Sequence, residues 1–325
     1  MPGFTTHYIF GMKAYNDMSN SQLKHIVAKY RWLYQLGLQG PDMFFYNIPI
    51  LRHRDYRNVG SYMHEHQVSQ FFDCCLRHME LIESRQQKEE AIAYFAGFIN
   101  HYVADSICHP FIYGRIGYDA GDPTARHHGL HAALENDLDA ILLWKYKKKK
   151  PSEFNQTASI CLNGQELQFI SHFLSSCINE TYYPLTYRNN FRVTPAMVHR
   201  SIWALRFGCR TLADKSGKKK NSIEFVESLF LNHPVASSKL VTDTITDYRT
   251  SCNLEHEIWC NPWKPSLASG ASFVDLFRQT LAKCSVVYYH LNSWISSADA
   301  TETKEKALLL NELGNYSYHS GLPVS

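Results

Sequence analysis

The chain of 325 residues reads as all-α, a multi-helix bundle, on three observations. Apolar residues recur at three- and four-residue intervals through long windows. Residue types that start helices stand just ahead of those windows. Between Asn100 and Leu142, His, Asp and Glu repeat every fourth position, and an α-helix gathers that spacing onto one face.

In chain order, Ser21 caps a helix carrying Leu23, Ile26, Val27, Tyr30, Leu33 and Tyr34 on one face, closed by Gly37. A second helix runs from about Ser61 through Val68, Phe71, Phe72, Cys75 and Met79. A third starts near Lys88 and carries Ile92, Phe95, Ile99 and Tyr102 towards His101. Asp122, with Pro123 at the first-turn position, announces a fourth, which runs to about Trp144 and ends in the basic run Lys145–Lys150 and Pro151. Thr194 with Pro195 opens a helix to about Ala213, Ser222 to Leu231 reads as a shorter one, and Ser272 with Asp275 caps a long helix ending near Trp294. The stretch SICLNGQELQFI holds a hairpin-like Asn163-Gly164 pair, the one strand signal against this helical background. Lys145–Pro151 and Lys215–Asn221 read as solvated connectors. With no internal repeat, a single domain over residues 1–325 is the economical description, ligand-rich over about 1–144 and followed by C-terminal helices over about 152–325.

The formal charge of +3 lacks the basic stripe of a dedicated nucleic-acid protein, so no obligatory nucleic-acid partner is expected. Nine cysteines, an odd count without a CxxC pair, read as reduced thiols rather than a disulfide framework or a thiolate zinc site. Lys13, Asp17, Lys24, Lys29 and Arg31 interrupt every early apolar run, so no signal peptide or membrane span can be drawn there, and a cytoplasmic location is the expectation.

The histidines and carboxylates carry the chemistry. His101, Asp105 and His109 form one row; His127, His131, Glu135 and Asp139 form another. His101 and His109 are two turns apart, ~12 Å at 1.5 Å per residue, too far for both to reach one ion with bonds of ~2 Å, so the row serves two metals. Asp105 between them is suited to bridging, since catalytic metal pairs sit ~3.5–4 Å apart and a carboxylate has two oxygens. His131 and Glu135 can share one ion from adjacent turns. For His127, His128 and Asp139, capping or outer hydrogen-bonding roles weigh equally with ligation. His25, His53, His78 and the C-terminal histidines read as surface or core residues. Further candidates are His7 in THYIFG, Asp42 in GPDMFFY, and His64 and His66 in GSYMHEHQ.

The segments THYIFG, GPDMFFY, GSYMHE, FINHYVADSICHPF and HAALEND resemble the zinc-dependent phospholipase C family, whose fold is similar to that of the single-strand-specific zinc nucleases; WCNPWKPSLASGASFVDLF adds the tryptophan–proline segment before the last long helix. The resemblance implies a helical bundle holding two to three zinc ions in a cleft. By position, Asp42, His64, His101 and Asp105 would hold one ion, His109, His131 and Glu135 a second, and His7 with Asp105 a third. Family members complete the third ion with the amine of a tryptophan; no tryptophan precedes His7 here, so that ion is expected to have the fewest protein ligands. The implied activity is hydrolysis of a phospholipid or related phosphodiester, with Asp42 as ligand or as acceptor of the attacking water's proton. A single-strand nuclease-like activity, or a catalytically weak metal-binding regulatory protein, are the alternatives. Lys147–Lys150 offers a peripheral contact for anionic lipid. Oligomeric state is not legible.

Overall fold

A computed structural model describes residues 3–46, 59–122, 124–188, 192–231, 236–244, 247–297 and 299–324. Among the described residues the fold is all-α apart from one two-stranded hairpin. The expectation for His53 falls outside the described residues, as does that for Pro123.

The first helix, α1 (Phe4–Asp17), carries His7 on its buried face. The next apolar window is two helices rather than one: α2 (Gln22–Lys29), capped by the Ser21 side chain accepting from the Lys24 amide, and α3 (Arg31–Gly37). Tyr30, at φ −111° and ψ 44°, breaks the path so that Tyr30, Leu33 and Tyr34 can all turn inward. A 3-10 segment, Gly40–Tyr46, then places Asp42. The window expected to start at Ser61 is also divided, into α4 (Val59–Glu65) and α5 (Val68–Glu80), by Gln67 in the left-handed region at φ 49°.

At the centre runs α6 (Arg85–Arg115), 31 residues or roughly 46 Å at 1.5 Å per residue. It begins three residues before the expected Lys88 because the Ser84 side chain accepts from the Gln87 amide. Both α3 and α12 (Phe273–Ser296) pack along it. The crossing with α3 is made by glycines on both sides: a Cβ on Gly97 would lie 2.1 Å from the Tyr34 carbonyl oxygen, and one on Gly37 2.1 Å from that of Tyr94. This close approach delivers the 3-10 segment to the His101 end of α6.

Helix α7 (Ala125–Lys147) starts from Thr124 rather than Asp122, and its last turn takes in Lys145 and Lys147 before Lys148 ends it in the left-handed region. Likewise α10 (Lys218–Phe230) absorbs most of the second expected connector. The Asn163-Gly164 pair is a helix start, not a hairpin: Asn163 accepts from the Glu166 amide, Glu166 accepts from the Asn163 amide, and α8 (Gly164–Arg188) follows. Thr194 caps α9 (Pro195–Thr211), and Ser272 with Asp275 forms the capping box of α12. A short turn of helix, α11 (Tyr248–Ser251), precedes the true hairpin, β1 (Trp259–Asn261) with β2 (Lys264–Ser269), and α13 (Asp299–Leu313) comes last.

Two apolar cores meet on α6. One gathers Leu33, Phe72, Phe95, Phe98 and Leu291; the other gathers Ile9, Phe10, Phe111, Leu142 and Phe277. The His101, Asp105 and His109 row lies along the stretch of α6 where one core gives way to the other.

Candidate metal centre

His101, Asp105 and His109 project from consecutive turns of α6 and are fully buried. Across from them stand Asp42 on the 3-10 segment, His64 on α4 and His7 on α1, each no more than 2% exposed. His64 Nε2 is 3.2 Å from Asp42 Oδ1 and 3.7 Å from Asp105 Oδ2; His101 Nε2 is 3.8 Å and 3.1 Å from the same two atoms. Two ligands each ~2.1 Å from a tetrahedral ion stand ~3.4 Å apart, so these separations match the edges of one coordination shell.

The protonation pattern decides what belongs between them. A backbone carbonyl only accepts, so His64 Nδ1 must donate to Gly60 O at 2.6 Å, His101 Nδ1 to Leu38 O at 3.1 Å, and His109 Nδ1 to Tyr318 O at 2.8 Å. Each neutral ring therefore presents an Nε2 lone pair to the interior. None of those three nitrogens has a hydrogen-bond partner, nor has Asp42 Oδ1 or either oxygen of Asp105. Lone pairs facing carboxylate oxygens in a buried site repel, and an uncompensated buried carboxylate costs several kcal/mol. Divalent cations, one in each group, would satisfy these atoms, and carbonyl-bound Nδ1 groups are the usual orienting partners of metal-bound histidine.

A second group is formed by His109 on α6 with His131 and Glu135 on α7, all ligand atoms within 4.8 Å of one another. His131 Nε2 is 2.6 Å and His109 Nε2 3.6 Å from Glu135 Oε1. His131 and Glu135 are the least covered of these side chains, at 9% and 8% exposure. Asp105 links the groups: its Oδ2 is also 3.6 Å from His109 Nδ1, while its Oδ1 is 3.2 Å from His7 Nε2. His7 stacks on His101 with ring centroids 4.0 Å apart, and neither of its nitrogens is hydrogen-bonded. Glycine matters once more here, because Gly40 sits at φ +47° and a Cβ there would lie 2.3 Å from the His101 ring.

Without metal, burial works against His101 protonation, but the Asp105 and Asp42 carboxylates outweigh it and raise the pKa. Burial pushes Asp105 up, and the surrounding His101, His109 and His7 more than reverse this, holding it well below its ordinary value. Burial lowers His7, His109 and His131, and burial with nearby carboxylates raises Glu135 well above the usual range.

The satellites separate. Asp139 accepts the amides of Thr5 at 3.1 Å and Thr6 at 2.7 Å, so it caps α1 three residues along and fixes the helix that bears His7; burial raises its carboxyl to about 6. His127 forms a capping box with Thr124, and His128 is exposed. His66 is half-buried and its ring lies against Tyr62, outside the ligand groups. Sequence reasoning passed over His319 and Tyr318. The Tyr318 amide donates to His64 O while its carbonyl accepts from His109, and the His319 ring stacks on His64 at 5.0 Å. Nothing periodic in NYSYHSG signals that contact, which spans 209 residues. A recess of about 500 Å³ lined by Tyr8, Met12, Trp32 and Phe154 shares no residue with these groups.

Fold and site together define a class, an all-helical protein built around a buried imidazole–carboxylate centre suited to divalent cations. The zinc-dependent phospholipase C family matches residues 6–183, more than half of the chain, and the protein belongs to that family. No curated protein and no solved structure matches the sequence.

Proposed function

We propose that the protein is a zinc-dependent phosphodiesterase that hydrolyses a phospholipid or a related phosphodiester. In this reading Asp42, His64, His101 and Asp105 hold one zinc ion, His109, His131 and Glu135 a second, and His7 with Asp105 a third. The observation that carries it is the pair of buried Nε2 lone pairs on His64 and His101 turned towards oxygens of Asp42 and Asp105 that have no hydrogen-bond partner. Family membership supplies the phospholipid substrate class.

Bound zinc supplies polarisation of phosphoryl oxygens and makes water acidic enough to attack near neutral pH. The chain's own groups do the rest. Carbonyl-bound Nδ1 atoms hold the three rings in place, Asp139 anchors the start of α1, and the two cores exclude water from behind the row. Asp42, whose buried Oδ1 has no hydrogen-bond partner, would serve as zinc ligand or as acceptor of the attacking water's proton. Among the described residues Asp42 and Asp105 pair only with histidines, so no lysine or arginine there shares the charge developing on phosphorus. Hydrolysis breaks the bond from phosphorus to the glycerol oxygen and joins the water oxygen to phosphorus. The water's proton ends on the leaving oxygen, giving diacylglycerol and a phosphorylated head group.

No described helix is long and apolar enough to cross a membrane. A peripheral contact is supported by exposed apolar side chains on two helices, Trp203 (61%) stacked on Phe207 in α9 and Phe225, Leu229 and Phe230 (81%) in α10, beside Lys218 and Lys219. α9 packs on the 3-10 segment that carries Asp42. We further infer one domain over residues 1–325, because Tyr318 is hydrogen-bonded to both ligand-bearing halves of the site.

The test is product analysis on phosphatidylcholine vesicles with protein loaded with zinc and protein stripped by chelator. Zinc-dependent release of diacylglycerol is expected. Cleavage of single-stranded DNA without lipid hydrolysis would replace the lipid reading by the nuclease one, and no zinc-dependent cleavage of either would overturn both.

A further inference from the structure

A second group of metal-binding side chains lies away from the imidazole–carboxylate centre and shares no residue with it. Cys74 and His78 are one turn apart on α5, and Cys177 faces them from α8; one ligand atom from each lies within 4.8 Å of the other two. Both thiols are buried, and His78 is half-buried with its side chain 26% exposed. Glu180, one turn beyond Cys177, brings Oε2 to 2.7 Å from His78 Nε2 while its other oxygen takes Arg77 at 2.6 Å. Long-range folding makes this arrangement, which is why cysteine spacing alone gave no sign of a thiolate site.

We propose that Cys74, His78 and Cys177 form a separate, sulfur-containing zinc site that clamps α5 to α8. The donor set is two thiolates and an imidazole, ligand types that zinc takes readily, with bonds of ~2.3 Å to sulfur and ~2.0–2.1 Å to nitrogen. Glu180 is the orienting carboxylate for the histidine, and the fourth position is left to solvent on the half-exposed side. As thiols the two sulfurs are poorly used: Cys74 Sγ donates to Cys177 O at 3.7 Å, a weak bond in a buried place. Burial raises the Cys177 and neighbouring Cys75 thiols, so deprotonation there requires a cation to balance it. Loading one zinc would release two protons to solvent, one from each thiol, with no redox change.

Cobalt(II) substitution tests this without reference to catalysis. The candidate ligands of the other centre contain no sulfur, so a thiolate-to-cobalt charge-transfer band in the near ultraviolet reports this site alone. We expect the band in the wild-type protein, its loss in Cys74→Ser and Cys177→Ser, its weakening in His78→Gln, and its retention in Cys161→Ser, whose thiol is exposed elsewhere. The His78→Gln variant keeps both thiols in place if a serine variant fails to fold. Absence of the band in wild-type protein, or its survival in Cys177→Ser, overturns the proposal. So does a disulfide mapped between Cys74 and Cys177 in unreduced protein, which would mean that these cysteines are cross-linked instead.

Discussion

Asp105→Asn is the sharpest perturbation of the proposed centre. Asp105 Oδ2 lies 3.1, 3.6 and 3.7 Å from nitrogens of His101, His109 and His64, and Oδ1 lies 3.2 Å from His7. Asparagine keeps the shape, but it removes the charge and turns one oxygen into an N–H donor pointing at lone pairs. Loss of an outer hydrogen-bonding partner costs ~10–100-fold in metal affinity or activity. Loss of a ligand shared between ions must exceed that, so hydrolysis of bis(p-nitrophenyl) phosphate should fall by more than ~100-fold, at least about 2.7 kcal/mol of transition-state stabilisation. His127→Ala is the control, because that ring meets Thr124 at the start of α7 and the edge of Tyr118, outside the ligand groups, and should stay within the ~10–100-fold range. Zinc content is measured on the same samples. Equal losses in the two variants, or full zinc content in Asp105→Asn, would refute the shared-ligand assignment.

His7→Gln should lower the bound zinc by up to one equivalent and slow hydrolysis, while added zinc still raises the melting temperature through the remaining ions; unchanged stoichiometry and rate would place His7 outside the site. The pH dependence of stability should steepen with metal. In the stripped protein His101 and Glu135 have raised values, so their stabilisation is present below their unfolded values and is lost as pH rises through the folded ones, whereas His7, His109 and His131 have lowered values and act in the opposite sense. The two sets offset each other in chelated protein, whereas the melting temperature of zinc-loaded protein should rise with pH above 6.5 because zinc replaces the protons of its ligands; parallel slopes would contradict this. Gly97→Ala, whose new Cβ would sit 2.1 Å from the Tyr34 carbonyl oxygen, should lose on the order of 1–3 kcal/mol in denaturant unfolding, and a neutral result would show that the α3–α6 crossing can spread.

What could be read from the sequence was what lies within a few turns of itself. The four-residue spacing puts His101, Asp105 and His109 on one face of α6 and His131 with Glu135 on one face of α7, because a helix is a local structure. Periodicity could not bring Asp42, His64 and His7 to that row; only the family resemblance linked them to it. The same limit explains the misplaced strand signal. Asn163 has the chemistry of a turn and of a helix cap alike, and the following apolar spacing selects the cap. The real hairpin at Trp259–Ser269 is held by contacts with α6, among them Trp259 against Phe111. Tyr30 and Gln67 break continuous windows where tertiary packing overrides helical propensity. Cys74 and Cys177 are brought together by a pairing 103 residues apart in the chain.

The position of Tyr318 sets an order of events during biosynthesis. Its main chain ties His64 to His109, yet it is translated 209 residues after His109. Helices α1 to α7 can emerge and collapse while synthesis continues, since elements near the N-terminus fold first. The His109 imidazole acquires its fixed tautomer only when the segment around Tyr318 docks, whereas His64 takes its own from Gly60 in the same helix. A nascent chain therefore carries an unlocked His109 until this closing strap is in place.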